Sequence, residues 1–132
     1  MSSFFNSKTT EDIRVMVRTH YLLEESSPKH QYYVFAYQVE ITNQSPHMVQ
    51  LISREWHIID GFGQQRVVKG DGVIGKQPII APGETYCYSS GSHFESTIGK
   101  MEGYYFMQKL VNGQELKIEI PPFVMQVPFS QN

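Results

Sequence analysis

From Ile13 the chain alternates cleanly, with Ile13, Val15, Val17, Thr19 and Tyr21 on one parity and Arg14, Met16, Arg18 and His20 on the other. A period of two sends successive side chains to opposite faces, so this segment reads as a half-buried strand. The pattern returns in Tyr33, Phe35, Tyr37, Val39 and Ile41, after a polar loop from Glu24 to Gln31 that Pro28 interrupts. Met48 to Asp60 predicts a third, long strand whose parity changes midway, since Val49 and Leu51 share one face while Trp56 and Ile58 fall on the other. A one-residue bulge near Ser53-Arg54 restores a single buried face and makes Trp56 the anchor between two sheets.

The connections follow from turn chemistry. Asn43-Gln44-Ser45-Pro46 is a turn by composition, and Asp60-Gly61-Phe62-Gly63 closes a hairpin into Gln65–Lys69. Gly70 to Gly75 is a glycine-rich connection, and Ala81-Pro82-Gly83-Glu84 places Pro and Gly at the two corners of a turn. Thr85, Cys87 and Ser89 alternate with Tyr86, Tyr88 and Ser90 in a further strand, and Gly91 to Thr97 reads as a loop. Asn112-Gly113 joins Lys100–Val111 to Gln114–Ile120 as a hairpin. Pro121-Pro122 is expected to end that strand, leaving Phe123, Met125 and Val127 as a last edge segment. About seven or eight antiparallel strands, with no segment of helical period, predict an all-β fold, an immunoglobulin- or fibronectin type III-like two-sheet β-sandwich. Residues 1–12, polar apart from Phe4 and Phe5, are read as a flexible N-terminal arm, and residues 13–127 as a single domain.

Composition strengthens this picture and narrows function. The 132 residues fit one domain, and 11 Val, 11 Ile and 17 aromatics against 5 Leu and 2 Ala favour sheet over helix. A formal charge of −2 offers no basic footprint for nucleic acid. No apolar run approaches the roughly 20 residues of a spanning helix, so no membrane insertion is expected. The N-terminal residues lack the pattern of a signal peptide. Cys87 alone excludes an internal disulfide framework and a thiolate metal site. Together these features point to a cytoplasmic protein.

Gly70-x-Gly72-x-x-Gly75 has the letters of a dinucleotide fingerprint, but Lys76-Gln77-Pro78 cannot open the helix that such a site requires. What survives is a candidate anion nest formed by Gly70, Gly72 and Gly75 between Lys69 and Lys76, opposed by Asp71. The alternative is a connection whose glycines only permit positive φ. Glu55 and His57 lie two apart and could share a strand face, yet the five histidines show no ligand spacing, so neither a metal site nor a cofactor is expected. Cys87, flanked by Tyr86 and Tyr88, reads as a buried small hydrophobe. No nucleophile elbow is present, so no catalytic residue is assigned. Outward tyrosines favour interfaces, and Tyr32, Tyr86, Tyr88 and Tyr104 are the candidates for contact with a partner.

Several blocks in register carry a wider likeness: Val17-Arg18-Thr19-His20-Tyr21-Leu22, Tyr33-Val34-Phe35-Ala36-Tyr37, Ser53-Arg54-Glu55-Trp56, Gly70-Asp71-Gly72-Val73-Ile74-Gly75-Lys76-Gln77-Pro78, Ala81-Pro82-Gly83-Glu84, Gly103-Tyr104-Tyr105 and Ile120-Pro121-Pro122-Phe123. From about Ile13 to Val127 their order and spacing resemble the ApaG family. The resemblance implies a fibronectin-type sandwich, a genetic link to cobalt resistance and magnesium efflux, and, from eukaryotic proteins that carry a similar domain, a protein-binding role. It brings no catalytic residues. The expectation is a non-enzymatic protein-binding module, monomeric or homodimeric. The alternatives are a phosphate, pyrophosphate or nucleotide sensor at the Gly70–Gly75 loop, or a weak divalent-ion-dependent phosphohydrolase.

Overall fold

Alternating apolar residues can be buried only if their strands pair and a second sheet covers them. The computed structural model, which describes residues 5–128, solves this with nine strands in two antiparallel sheets. β1 (Phe5–Thr10), β2 (Ile13–Tyr21), β3 (Tyr33–Asn43) and β7 (Thr85–Phe94) form one sheet in the order β1-β2-β3-β7. β4 (Val49–Asp60), β5 (Gln65–Asp71), β8 (Ile98–Lys109) and β9 (Glu115–Gln126) form the other in the order β5-β4-β8-β9, and the two-residue β6 (Ile79–Ile80) pairs with β4. The expected two-sheet β-sandwich is the architecture observed.

The inner faces are those that the alternation marks. Ile13, Val15 and Val17 of β2 and Phe35, Tyr37, Val39 and Ile41 of β3 are buried against Leu51, Trp56, Met101, Tyr105, Ile118 and Phe123 of the other sheet. Trp56 is the core anchor, with its indole edge-on to Tyr37 at 5.5 Å, Phe123 at 5.9 Å and Tyr105 at 6.4 Å between ring centroids. The parity change in β4 is a bulge at Ile52: Leu51 pairs with Met107 and Ser53 with Phe106, leaving Ile52 without a partner across the ladder.

Three expectations are corrected. Phe5–Thr10 is not a loose arm but β1, paired with β2 from Phe5–Arg18 to Thr10–Ile13; Met1 to Phe4 of that arm lie outside the described residues. The hairpin turns on Glu11 and Asp12, both at positive φ, a two-residue turn that Asn-Gly normally fills. Pro121-Pro122 does not end a strand. The register slips between Met101–Phe123 and Gly103–Ile120, so the prolines sit in a bulge on an edge strand, where a missing amide donor costs no ladder bond. β7 runs on through Gly91 to Phe94, pairing with β3, and the loop is confined to the residues after it.

One buried polar residue ties the β3–β4 turn to the 81–84 turn. Asn43 is fully buried; its Nδ2 donates to the carbonyls of His47 (2.7 Å) and Ile80 (2.9 Å), and its Oδ1 accepts from the Ser45 amide (3.0 Å) and hydroxyl (2.6 Å). Asn43→Ala leaves these groups unpaired in the interior, where each lost partner costs about 1–3 kcal/mol. The expected loss is about 2–4 kcal/mol, read as a lower urea midpoint at an unchanged slope.

Candidate functional site

The Gly70–Gly75 segment leaves β5 and turns back on itself. Val73 and Lys76 form a two-residue bridge, with the Val73 amide donating to the Lys76 carbonyl (2.8 Å) and the Lys76 amide to the Val73 carbonyl (3.0 Å). The Gly72 amide donates to the Ile52 carbonyl at 2.8 Å. Three amides that an anion nest needs are therefore spent inside the protein. Gly72 is required by space and conformation together: its φ is +59°, and a Cβ there would stand 2.1 Å from the Lys76 carbonyl oxygen. Lys69 is drawn away to the outer face of the sheet, 3.8 Å from Glu55, while Lys76 is exposed in the turn. The structure does not gather Lys69, Gly70, Gly72, Gly75 and Lys76 around one point.

What does approach the segment is Arg54, a residue the sequence reading passed over. Downstream of the Ile52 bulge it shares the inner parity of Trp56 and Ile58, so its guanidinium lies between the sheets. There Nη1 donates to the carbonyls of Asp71 (3.0 Å) and Gly72 (2.8 Å). Gly70, its partner across the ladder, leaves the room: a Cβ there would meet the guanidinium nitrogens at 2.8–2.9 Å. The signal was available in the sequence as Arg54-x-Trp56-x-Ile58, once the bulge is set before Arg54.

The tyrosines divide. Tyr32 is exposed and stacks on His93 with 5.1 Å between centroids. Tyr104 lies on the outer face of the other sheet under Lys117, whose ammonium sits 4.1 Å from the ring centre. Tyr86 and Tyr88 do not point outward: they occupy the inner parity of β7 and pack against the core, while the Cys87 parity faces solvent. Cys87 is thus exposed, not a buried hydrophobe, because β7 turns its tyrosines inward. The four candidates do not form one surface. Glu55 and His57 do share the outer face, joined by a 2.6 Å hydrogen bond that, with Lys69 and Lys117 nearby, holds the Glu55 carboxyl below its usual range. Among the described residues no three His, Cys, Asp or Glu side chains converge as metal ligands would.

β5 is an edge strand, and among the described residues no further strand pairs with its outer side. All of its residues except Gly70 are exposed, including Val67 (53%) and Val68 (39%) on opposite faces, and Phe62 (68%) stands at the hairpin tip. Asp60 donates its amide to Gln64 (3.0 Å) and Gly72 to Ile52 (2.8 Å), so the bonded pairs of the β4–β5 ladder fall on even-numbered β5 residues. The backbone amides and carbonyls of Gln65, Val67 and Lys69 consequently face away from β4.

Inside the sandwich the Tyr88 hydroxyl is hydrogen-bonded to that of Tyr105. Burial holds the phenols of Tyr37, Tyr88 and Tyr105 above the usual tyrosine value of 10.0, opposed at Tyr37 by a Ser90 hydrogen bond and by Arg54. Above that value the unfolded chain releases these protons while the native state keeps them, so stability is intact below pH 10 and falls as pH rises further. Each phenol contributes a slope of about 1.4 kcal/mol per pH unit. Denaturant titrations at several pH values above 10 should show that fall, and Tyr105→Phe should make it shallower by about one proton's worth.

Comparison with known proteins identifies the family. A family model described as the ApaG domain matches residues 23–109. Protein ApaG of Methylobacterium radiotolerans is 46% identical over 119 residues, 90% of this chain and 91% of that protein. Protein ApaG of Vibrio cholerae is 44% identical over 120 residues, 91% of this chain and 94% of that protein. The crystal structure of an ApaA protein from Bordetella pertussis superposes with a TM-score of 0.86 at 43% identity, covering 90% of this chain and 96% of that one. The chain therefore belongs to the ApaG family.

Proposed function

We propose that this protein is a non-enzymatic binding module that takes an extended segment of a partner protein onto the free edge of β5. The observation that carries this reading is the unpaired edge itself, with the outward amides and carbonyls of Gln65, Val67 and Lys69 flanked by the exposed Val67 and Val68. A free edge with apolar side chains is a template for strand addition: main-chain bonds supply affinity and alternate side chains supply selectivity. The far edge of the same sheet, β9, is blocked by contrast, since Pro121 and Pro122 interrupt its donors. In this reading the family's association with cobalt and magnesium is exerted through the partner, not through a metal held by this chain.

Val67→Pro separates recognition from folding, because it removes an amide that faces away from β4 and leaves the β4–β5 ladder intact. In a peptide-display selection the wild-type chain should enrich extended segments with alternating apolar residues. Val67→Pro should bind the enriched peptides at least about tenfold more weakly, a loss of about 1.4 kcal/mol, with its melting temperature nearly unchanged. Equal binding by the two chains would overturn the reading. So would a concentration-dependent dimer that Val67→Pro abolishes, since the edge would then serve a second copy of this chain.

A further inference from the structure

We propose that the cavity between the sheets beneath the Gly72–Lys76 turn binds a small phosphate-type oxyanion, with Arg54 as its cationic group. The cavity measures about 220 Å³; Arg54 lines it with Tyr37, Trp56, Tyr88 and Ser90, and the glycine-rich turn contributes Asp71, Val73, Ile74 and Gly75. It adjoins the glycine segment that the sequence suggested, but its cation is Arg54 instead of Lys69 or Lys76, and the proposal does not rest on the β5 edge binding a protein.

The first argument is charge. A guanidinium on the inner face of a sandwich gives up hydration, and such groups are normally paired with a carboxylate. Arg54 is half-buried, and among the described residues no carboxylate makes an ion pair with it; its hydrogen bonds go to two backbone carbonyls, both held by Nη1. A guanidinium carries five N–H donors, so this leaves directed donors and a net positive charge at the cavity. Trp56 and Val73 form apolar walls, which strengthen an interaction with an incoming anion.

The second argument is the donor set. Tyr88 is hydrogen-bonded to Tyr105, and Tyr37 to Ser90. When two hydroxyls bond to each other one donates and the other keeps its proton: with Tyr105 and Ser90 as the donors, the Tyr88 and Tyr37 protons are left for a ligand. Burial keeps all three phenols protonated and able to donate near neutral pH. Donors reach the cavity from both sheets, from β3 and β7 on one side and from β4 on the other. The volume lies below the roughly 300–1,000 Å³ of sites for drug-sized ligands, so orthophosphate or pyrophosphate is the right scale and a dinucleotide is not.

At the mouth Ile74 (φ +48°) and Gly75 (φ +72°) are the two central residues of the Val73–Lys76 turn, and the Ile74 side chain is exposed. The Asp71 carboxylate lines the cavity and opposes an anion, which makes the test sharper.

The test is calorimetry and thermal unfolding of the full chain at constant ionic strength with orthophosphate, pyrophosphate and malonate as separate probes. The expected result is one saturable site for phosphate or pyrophosphate, with a rise in Tm of a few degrees at saturation. Arg54→Gln should abolish it, Ser90→Ala should weaken it about tenfold, and Asp71→Asn should tighten it several-fold. Ser90→Ala and Asp71→Asn leave the Arg54–carbonyl bonds in place, so they decide the matter even if Arg54→Gln does not fold. No saturable binding by the wild-type chain overturns the proposal. A response to malonate alone reassigns the site to carboxylates and overturns it as stated, as does binding that survives Ser90→Ala and Asp71→Asn unchanged but is lost in Lys76→Ala.

Discussion

Insertion of one residue into β4, Ile52, sets the inside and outside of half the molecule. A bulge shifts every later side chain to the opposite face. Without it Trp56 and Ile58 would face water, and Ser53, Glu55 and His57 would face the core opposite Tyr37 and Val39. Burying a fully exposed Trp or Ile is favourable by about 1.5–3 kcal/mol each, while burying a carboxylate or imidazole is costly. The bulged register therefore wins decisively. It also carries Arg54 inward, which no hydrophobic argument favours. The bulge that seats the core anchor thus places an unpaired guanidinium beside it.

Glycines in the neighbouring strands accommodate this stretch of β4 in two different ways. Gly103 pairs with Trp56 across the β4–β8 ladder, and a Cβ there would stand 1.9 Å from the Glu55 carbonyl oxygen, so it permits a close approach of the two backbones. Gly70 faces Arg54 across the β4–β5 ladder and leaves room for the guanidinium. Glycine weakens a strand interior, so its presence at both positions is explained by what it meets, backbone at Gly103 and a charged side chain at Gly70.

Most of the fold was legible because burial repeats with the strand period. The alternation in β2 and β3, the Asn112-Gly113 hairpin and the parity change in β4 each express a demand of one buried face. The misses share a different cause. β1 has no alternation to read, since its six residues are exposed or nearly so and it is held by ladder bonds to β2. The two prolines of β9 are strand breakers in a central strand and are harmless in an edge bulge; whether a strand is central or at an edge is a property of topology, not of local sequence. Tyr86 and Cys87 were misplaced because β7 alternates tyrosine with small residues. Both parities can then be read as inner, and only the pairing of Val39 with Tyr88 decides.

The candidate site was less legible because it is made by bringing distant segments together. The glycines of the 70–75 segment were visible, but the Gly72 amide goes to the Ile52 carbonyl and the Val73 and Lys76 amides to each other's carbonyls, a matter of tertiary hydrogen bonding. Arg54 serves both regions that carry functional readings. Its Nη1 holds the carbonyls of Asp71 and Gly72, at the point where β5 ends and the turn begins. Any ligand that draws on the guanidinium competes with or reinforces those two bonds, and so changes how firmly β5 is fixed to β4. If a segment paired on β5 also changes that fixing, the two affinities are thermodynamically linked. Whatever factor one occupant imposes on the other must be returned in equal measure.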